Sequence, residues 1–289
     1  MPITNTPLRY PGGKSRLQTC IAELLQVNQL LGCTYIEPFA GGCGLALSLL
    51  FKGVVKRIII NDFDYCIFAF WYCVLNQTDQ LLEALQRVPV TIDEWHRQRE
   101  VQKEPHKHSV LDVALSTLFL NRTNRSGILK GGVIGGIEQK GRYKLDCRFN
   151  KRDLTAKIRR IASWKDEIEL HNMDAMDLIP TVIANQKGDT LVYLDPPYIT
   201  QGNALYCNSF DEQGHIDLST AIKEMHHPWV LTYDKEPMVY RMYEGFIIRE
   251  MSLTYSAGSK RKGIELMVFA NNIRPVFPTV GPLGAQMRK

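Results

Sequence analysis

Thr190-Leu191-Val192-Tyr193-Leu194-Asp195-Pro196-Pro197-Tyr198 is the stretch on which the reading of this chain turns. Thr190 to Leu194 carries no polar alternation, as a strand buried on both faces of a parallel sheet would read. At its carboxyl end the strand delivers a carboxylate, two prolines and an aromatic ring. In open α/β sheets, ligands bind outside the carboxyl ends of the strands. Two prolines remove two N–H donors and stiffen the loop. The carbonyls of Asp195 and Pro196 are then left to accept hydrogen bonds from a ligand, and the Asp195 carboxylate is a further acceptor. An exocyclic amino group, with two N–H donors, suits such a loop, and Tyr198 can stack on the ring that bears the amine. The plain alternative is a strand that ends in a proline turn.

Upstream, the same grammar begins the chain. Pro7 to Lys14 reads as a turn-rich loop, and a helix is expected over Ser15–Leu31, with Gly32 as its stop. Tyr35–Phe39 reads as a short strand, Ala40-Gly41-Gly42-Cys43-Gly44 as a glycine-rich turn, and Leu45–Phe51 as the next helix. Arg57–Asp62 is a second strand and Phe63–Leu75 an apolar helix. This β-turn-α-β-α series is the start of a doubly wound sheet.

The alternation then breaks. Residues 76–166 read as helical, with helices at 79–87, 91–102, 109–122 and 153–163 around a Gly-rich centre, Lys130–Gly136. Between Arg97 and Lys165 there are 17 Lys and Arg against 6 Asp and Glu, so the rest of the +5 chain is net acidic. A basic segment on an acidic body is the footprint of a surface that faces phosphates; a solvated helical face is the alternative. Strands return at Glu167–His171, Thr190–Leu194, Trp229–Tyr233, Phe246–Glu250 and Ile264–Asn271, the last two close enough for an antiparallel pair. Residues 272–289 read as an irregular tail. Seven scattered cysteines without a C-x-x-C pair argue against a disulfide framework or a structural zinc. A cytoplasmic setting in a bacterial or phage-infected cell is expected, with no membrane span and no metal. His106, His108, His226 and His227 belong to no ligand pattern.

Two further constellations carry chemistry. Glu37-Pro38-Phe39-Ala40-Gly41-Gly42-Cys43-Gly44 is followed about 20 residues later by Asp62. Glycines admit close approach of a ligand to the backbone, and an acid ending the second strand can hold ribose hydroxyls. The spacing is not G-x-G-x-x-G, and Glu37 would repel a pyrophosphate. A cationic nucleoside such as S-adenosylmethionine fits better, with Glu37 near its positive end. In Arg9-Tyr10-Pro11-Gly12-Gly13-Lys14, Tyr10 could pack on a cofactor and Lys14 could pair with a carboxylate; a solvated surface turn is the alternative.

The order of these three segments, with an insert before D-P-P-Y and with Phe210–His215 after it, resembles the Dam-type (D12-class, alpha-group) DNA adenine-N6 methyltransferases over about Pro7 to Asn271. The resemblance implies a Rossmann-like class I methyltransferase fold. Its sheet is mostly parallel with an antiparallel last strand, formed by residues 1–75 and 167–271, and 76–166 is a target-recognition insert. It also implies S-adenosylmethionine as cofactor. Tyr10, Lys14, Glu37, Phe39, Gly41, Asp62, Asp174 and Asp195 are the expected cofactor-binding residues, and Asp195, Pro196 and Tyr198 the catalytic ones. Cys43 departs from the family's F-x-G-x-G, standing where its second glycine is expected.

The expected reaction is direct methyl transfer to adenine N6 of a base flipped out of duplex DNA. Arg122, Asn124 and Arg125 are the expected readers of base edges. Lys140, Arg142 and Lys144 are expected on phosphates, with Gly131–Arg142 as a hairpin probing the duplex. The Ser259–Lys262 loop is a further candidate for backbone contact. A monomer is expected, with any restriction endonuclease on a separate chain. The competing readings are methylation of RNA adenine or cytosine N4, and a catalytically silent DNA-binding regulator.

Overall fold

The computed structural model describes residues 4–10, 13–199, 210–255 and 261–277. Ser259 and Lys260 of the Ser259–Lys262 loop, and Cys207, lie outside what is described.

Seven strands form one sheet in the order β3-β2-β1-β4-β5-β7-β6. Their ranges are β1 Thr34–Glu37, β2 Arg57–Asn61, β3 Ile168–His171, β4 Thr190–Leu194, β5 Trp229–Asp234, β6 Ile247–Tyr255 and β7 Arg261–Phe269. β1 and β4 are buried along their whole length because both are interior strands. Ile36 pairs in parallel register with Ile59 of β2 on one side and with Val192 of β4 on the other. The chain runs outward from β1 through β2 to β3, then restarts at β4 and runs the other way. The β1/β4 junction is therefore the topological switch point, where such sheets bind ligands. That one fact puts the glycine turn after β1 beside the D-P-P-Y loop after β4. β7 runs antiparallel between β5 and β6, so its early residues lie at the same edge as the ends of the parallel strands. Glu265 faces Asp234 across this ladder.

The helices are α1 Gln18–Val27, α2 Gly44–Phe51, α3 Tyr65–Asn76, α4 Thr78–Arg87, α5 Ile92–Lys103, α6 Val110–Thr123, α7 Lys151–Ala162, α8 Ala175–Leu178, α9 Glu212–Glu224 and α10 Pro237–Met242. α1 stops four residues short of the expected Leu31. Gln29 takes the left-handed conformation at φ 59° and Leu30 N–H returns to the Leu25 carbonyl, a Schellman closure. Gly32 serves the turn into β1 instead, at φ +77°.

α4 to α7 are the helices of the insert. Thr91, Ser109 and Asn150 cap α5, α6 and α7 through their side-chain oxygens. α6 is buried along most of its length, and Leu118, Phe119, Leu154 and Ile158 belong to the same apolar core as the sheet. The expected hairpin over Gly131–Arg142 is absent. Apart from one bridge between Asn124 and Val133, the segment is a series of turns. Gly135 and Gly136 sit at φ +88° and +76°, which breaks the alternation that strand pairing needs. The Gln139 amide holds the coil by donating to the Ile134 and Gly136 carbonyls, and its oxygen accepts from Leu145 N–H.

Asn121 ties the amino-terminal segment to the insert. Its oxygen accepts from Arg9 N–H at 2.7 Å, and its amide donates to the Arg9 and Gly127 carbonyls at 2.8 and 2.9 Å. Gly127, at φ +80°, lets the Arg9 carbonyl in so close that a Cβ would stand 2.2 Å from it. Asn121 is 1 % exposed, so removing it strands buried backbone groups. Asn121→Ala is expected to lower the unfolding free energy by about 2–3 kcal/mol in urea denaturation; a loss below about 0.5 kcal/mol would contradict this docking role.

Candidate active site

The glycine turn is built from both sides. Above it, the half-buried Tyr10 ring covers Gly41 and Gly42 so closely that a Cβ on Gly41 would stand 2.7 Å from the ring. Below it, buried Trp71 of α3 donates to the Gly41 carbonyl at 2.9 Å, and the Asp62 carboxylate accepts from Gly41 N–H at 2.8 Å. Trp71 carries no motif and was not legible as a site residue. Cys43, where the family's second glycine was expected, sits at φ 51°, ψ 26° in the left-handed region and caps the start of α2. A non-glycine residue there costs on the order of 1 kcal/mol, so the turn keeps the shape that the missing glycine would favour.

The Glu37 carboxylate faces inward. It accepts from Tyr35 O–H at 3.2 Å and from Ala46 N–H of α2 at 3.1 Å, and the residue is 5 % exposed. It supports the helix start from beneath rather than projecting into open space. Burial pushes its pKa up to about 8. Burial, with the charge of Asp64 added, raises Asp62 to about 7. Asn61 binds the Pro38 carbonyl and both backbone groups of Met173, which brings Asp174 to this edge. Asp174 caps α8 through Met176 N–H. Phe63, beside Asp62, is 54 % exposed. Phe39 meets Phe210 edge to face, with ring centroids 6.2 Å apart, which brings the start of the Phe210–His215 segment beside the turn.

The D-P-P-Y loop is fastened by a buried ion cluster. Lys14, 7 % exposed, places its Nζ 2.9 Å from Asp195 Oδ2, 2.7 Å from Tyr198 Oη and 3.5 Å from Glu265 Oε2. Tyr198 O–H donates to Glu265 Oε1 at 2.5 Å, and Thr232 O–H donates to Asp195 Oδ1 at 2.8 Å. Lys14 was expected at a cofactor carboxylate; without a ligand its ammonium is seated on the D-P-P-Y loop. Tyr198 is turned inward, 8 % exposed, while the Asp195 side chain keeps 22 % of its surface open. Thr232 and Glu265 were not found from sequence. They lie inside strands that read only as core, and no motif spacing links them to the loop.

Two of the expected base readers are committed to the fold. Asn124 is fully buried: its amide donates to the Ile128 and Leu129 carbonyls and its oxygen accepts from Trp95 Nε1–H. Every donor and acceptor of that side chain is in use, so Asn124 is withdrawn as a base reader. Arg122 is half-buried and donates to the Arg148 and Pro7 carbonyls. Burial and the neighbouring Arg9 charge lower its pKa to about 10. Arg125, Lys140, Arg142 and Lys144 are exposed, with Lys140 paired to Glu138 and Arg142 over the ring of exposed Tyr143.

The donor set suits S-adenosylmethionine. An acid at the end of β2 beside an exposed aromatic fits a nucleoside. The switch-point sheet, the glycine turn and the D-P-P-Y loop together define a class I methyltransferase. The D12 class N6 adenine-specific DNA methyltransferase model matches residues 10–257, and the chain belongs to that family, whose fold and chemistry imply S-adenosylmethionine as methyl donor. It is 25 % identical over 204 residues to the type II methyltransferase M.MjaIII of Methanocaldococcus jannaschii, covering 66 % of this chain and 68 % of that protein. It is 23 % identical over 235 residues to the type II methyltransferase M.CviBI of Paramecium bursaria Chlorella virus NC1A, covering 77 % and 81 %. Among solved structures, the rRNA methyltransferase aviRa of Streptomyces viridochromogenes matches at a TM-score of 0.37 and 16 % identity, over 91 % of this chain and 86 % of that one. No helix among the described residues is long and apolar enough to cross a membrane.

Glu37 and Asp62 hold protons in the folded state at pH values where the unfolded chain has lost them. The ligand-free protein therefore loses stability from these groups as pH rises from about 4.5 to 8. Glu37→Gln keeps both acceptor bonds without the charge. It is expected to stabilise the ligand-free protein at pH 8 by about 2–4 kcal/mol and to flatten the pH slope of denaturant midpoints; an unchanged slope would contradict the burial of a protonated carboxyl.

Proposed function

We propose that this enzyme methylates N6 of a specific adenine in duplex DNA, at a base flipped into the pocket in front of Asp195. One observation carries the reading: the Asp195 carboxylate follows β4 at the β1/β4 switch point and stays 22 % exposed, with Lys14 on Oδ2 and Thr232 on Oδ1. S-adenosylmethionine, when bound, supplies the methyl group on a sulfonium. Tyr10, Gly41, Asp62 and Asp174 would hold it, with Phe39 at the back of the turn.

The chain's own residues do the rest. Adenine N6 is a poor nucleophile because its lone pair is delocalised into the ring. Asp195 and the Pro196 carbonyl accept its two N–H bonds, which favours a tetrahedral nitrogen with its lone pair outward. Asp195 is also the acceptor nearest the proton that the amine sheds. Lys14 and Thr232 hold the carboxylate in one orientation before the base arrives, so positioning and fixed charge supply most of the acceleration. The Tyr198 ring, tethered by its hydroxyl, forms the wall on which the extruded base stacks, offsetting an unstacking cost of a few kcal/mol. Arg125 reads the duplex, and Lys140, Arg142 and Lys144 meet phosphates. The names of the type II relatives support a restriction-modification setting, with the endonuclease on a separate chain. We read the enzyme as a cytoplasmic monomer.

Asp195→Asn presents a donor to the amine in place of an acceptor. It is expected to slow methyl transfer to duplex DNA at least about 100-fold, with S-adenosylmethionine binding within about twofold of wild type by calorimetry. Undiminished transfer would overturn the assignment. Binding should also weaken steeply with salt. Replacing Lys140, Arg142 and Lys144 with Gln should reduce the slope of log K against log salt by up to about 3; an identical slope would remove these residues from the DNA surface.

A further inference from the structure

Pro196 and Pro197 have no N–H to donate, so the D-P-P-Y loop cannot be tied down by its backbone at those two positions. The end of β5 supplies holding groups instead. Leu194 pairs with Leu231, so the loop leaves β4 beside the last residues of β5, Thr232, Tyr233 and Asp234. Each of the three holds a different part of the active edge. Thr232 O–H donates to Asp195 Oδ1 at 2.8 Å, at the start of the loop. Asp234 Oδ1 accepts from Ile199 N–H at 3.2 Å, one residue past the end of the loop. The Tyr233 hydroxyl shares a 2.6 Å hydrogen bond with Nδ1 of buried His215 on α9. Side chains alternate along a strand, so Thr232 and Asp234 share the face toward the loop, and Tyr233 serves the helix on the other.

We propose that Asp234 is a positioning residue for methyl transfer: by accepting the Ile199 N–H it fixes the carboxyl end of the D-P-P-Y loop, and so sets the direction of the Pro196 carbonyl. The amine must meet two acceptors at once, the Asp195 carboxylate and that carbonyl. The carboxylate is steered through its own side chain, by Lys14 and Thr232. The carbonyl has no side chain to steer it. Its direction follows the path of the backbone, and Asp234 fixes that path at Ile199, three residues on. Thr232 and Asp234 thus stand as two posts on one face of one rigid strand, one at each end of the loop. What residue 234 must supply is an acceptor oxygen at the right distance. Its charge is not required, and it acts through Ile199 without touching the base or the methyl donor.

This inference rests on the proposed methylation of DNA adenine, and the test separates the two. Single-turnover transfer of a labelled methyl group to adenine in unmethylated plasmid DNA, at saturating S-adenosylmethionine, would be compared for wild type, Asp234→Ala, Asp234→Asn and Asp234→Ser. Affinities for S-adenosylmethionine and for DNA, and the melting temperature, would be measured alongside. Asp234→Ala removes the acceptor, and transfer should slow about 10- to 100-fold, with both affinities within about threefold of wild type. Asp234→Asn keeps an oxygen in the same place and should transfer within about threefold of wild type although the charge is gone. The hydroxyl of Asp234→Ser falls one atom short of Ile199 N–H, so this variant should be slow like Asp234→Ala, and it stands in should Asp234→Ala fail to fold. A merely structural role for Asp234 would lower the melting temperature or both affinities without separating Asn from Ala and Ser. Wild-type transfer by the Ala or Ser variant, or equal slowing of the Asn and Ser variants, overturns the Asp234 proposal alone. A wild-type enzyme that puts no label into DNA adenine overturns the proposed function, and this proposal with it.

Discussion

The buried ammonium of Lys14 is the contact on which the active edge depends. It joins three parts of the chain that are far apart in sequence: the amino-terminal segment, the D-P-P-Y loop at 195–198, and Glu265 on the antiparallel strand. A buried ion cluster is not a cheap source of stability, since desolvating its charges offsets much of their attraction. What it confers is a single arrangement. An unpaired carboxylate or ammonium at this depth would be strongly unfavourable, so Asp195, Tyr198 and Glu265 are held where Lys14 can reach all of them. The amino-terminal segment is fixed in turn by Asn121 of the insert at Arg9, while Lys14 of the same segment holds the D-P-P-Y loop.

The other half of the site follows from sheet topology. β1 and β4 are neighbours, so a turn stripped of side chains and a loop stripped of N–H donors meet at one point. The turn is clamped by Tyr10 above and by Trp71 and Asp62 below. These clamps explain how Cys43 can hold a left-handed conformation that a free loop would leave. They also turn Glu37 inward, where it serves α2 and stays protonated near neutral pH.

Much of this was legible in the sequence, and what was not has physical causes. Consecutive apolar residues in Arg57–Asn61 and Thr190–Leu194 read correctly as interior strands, because burial on both faces leaves no polar alternation to mislead. The helices expected at 79–87, 91–102, 109–122 and 153–163 stand within two residues of those bounds. The Gly131–Arg142 hairpin was misread because glycine permits strand and left-handed turn alike, and the choice was made by Gln139, a side chain with no local signal. Asn124 looked like a base reader because amides suit base edges. Three partners inside the fold, among them Trp95 in a different helix, use it up. Glu265 and Thr232 were invisible for a similar reason: each belongs to the site through strand pairing, not through distance along the chain.

The central claim is that the Asp195 loop grips adenine in DNA. Its most direct test is mass analysis of nucleosides from duplex DNA treated with the purified enzyme and isotopically labelled S-adenosylmethionine. The account predicts that the label appears in N6-methyladenine and is absent from that nucleoside with the Asp195→Asn enzyme. Label in N4-methylcytosine, or in RNA but not in DNA, would contradict it.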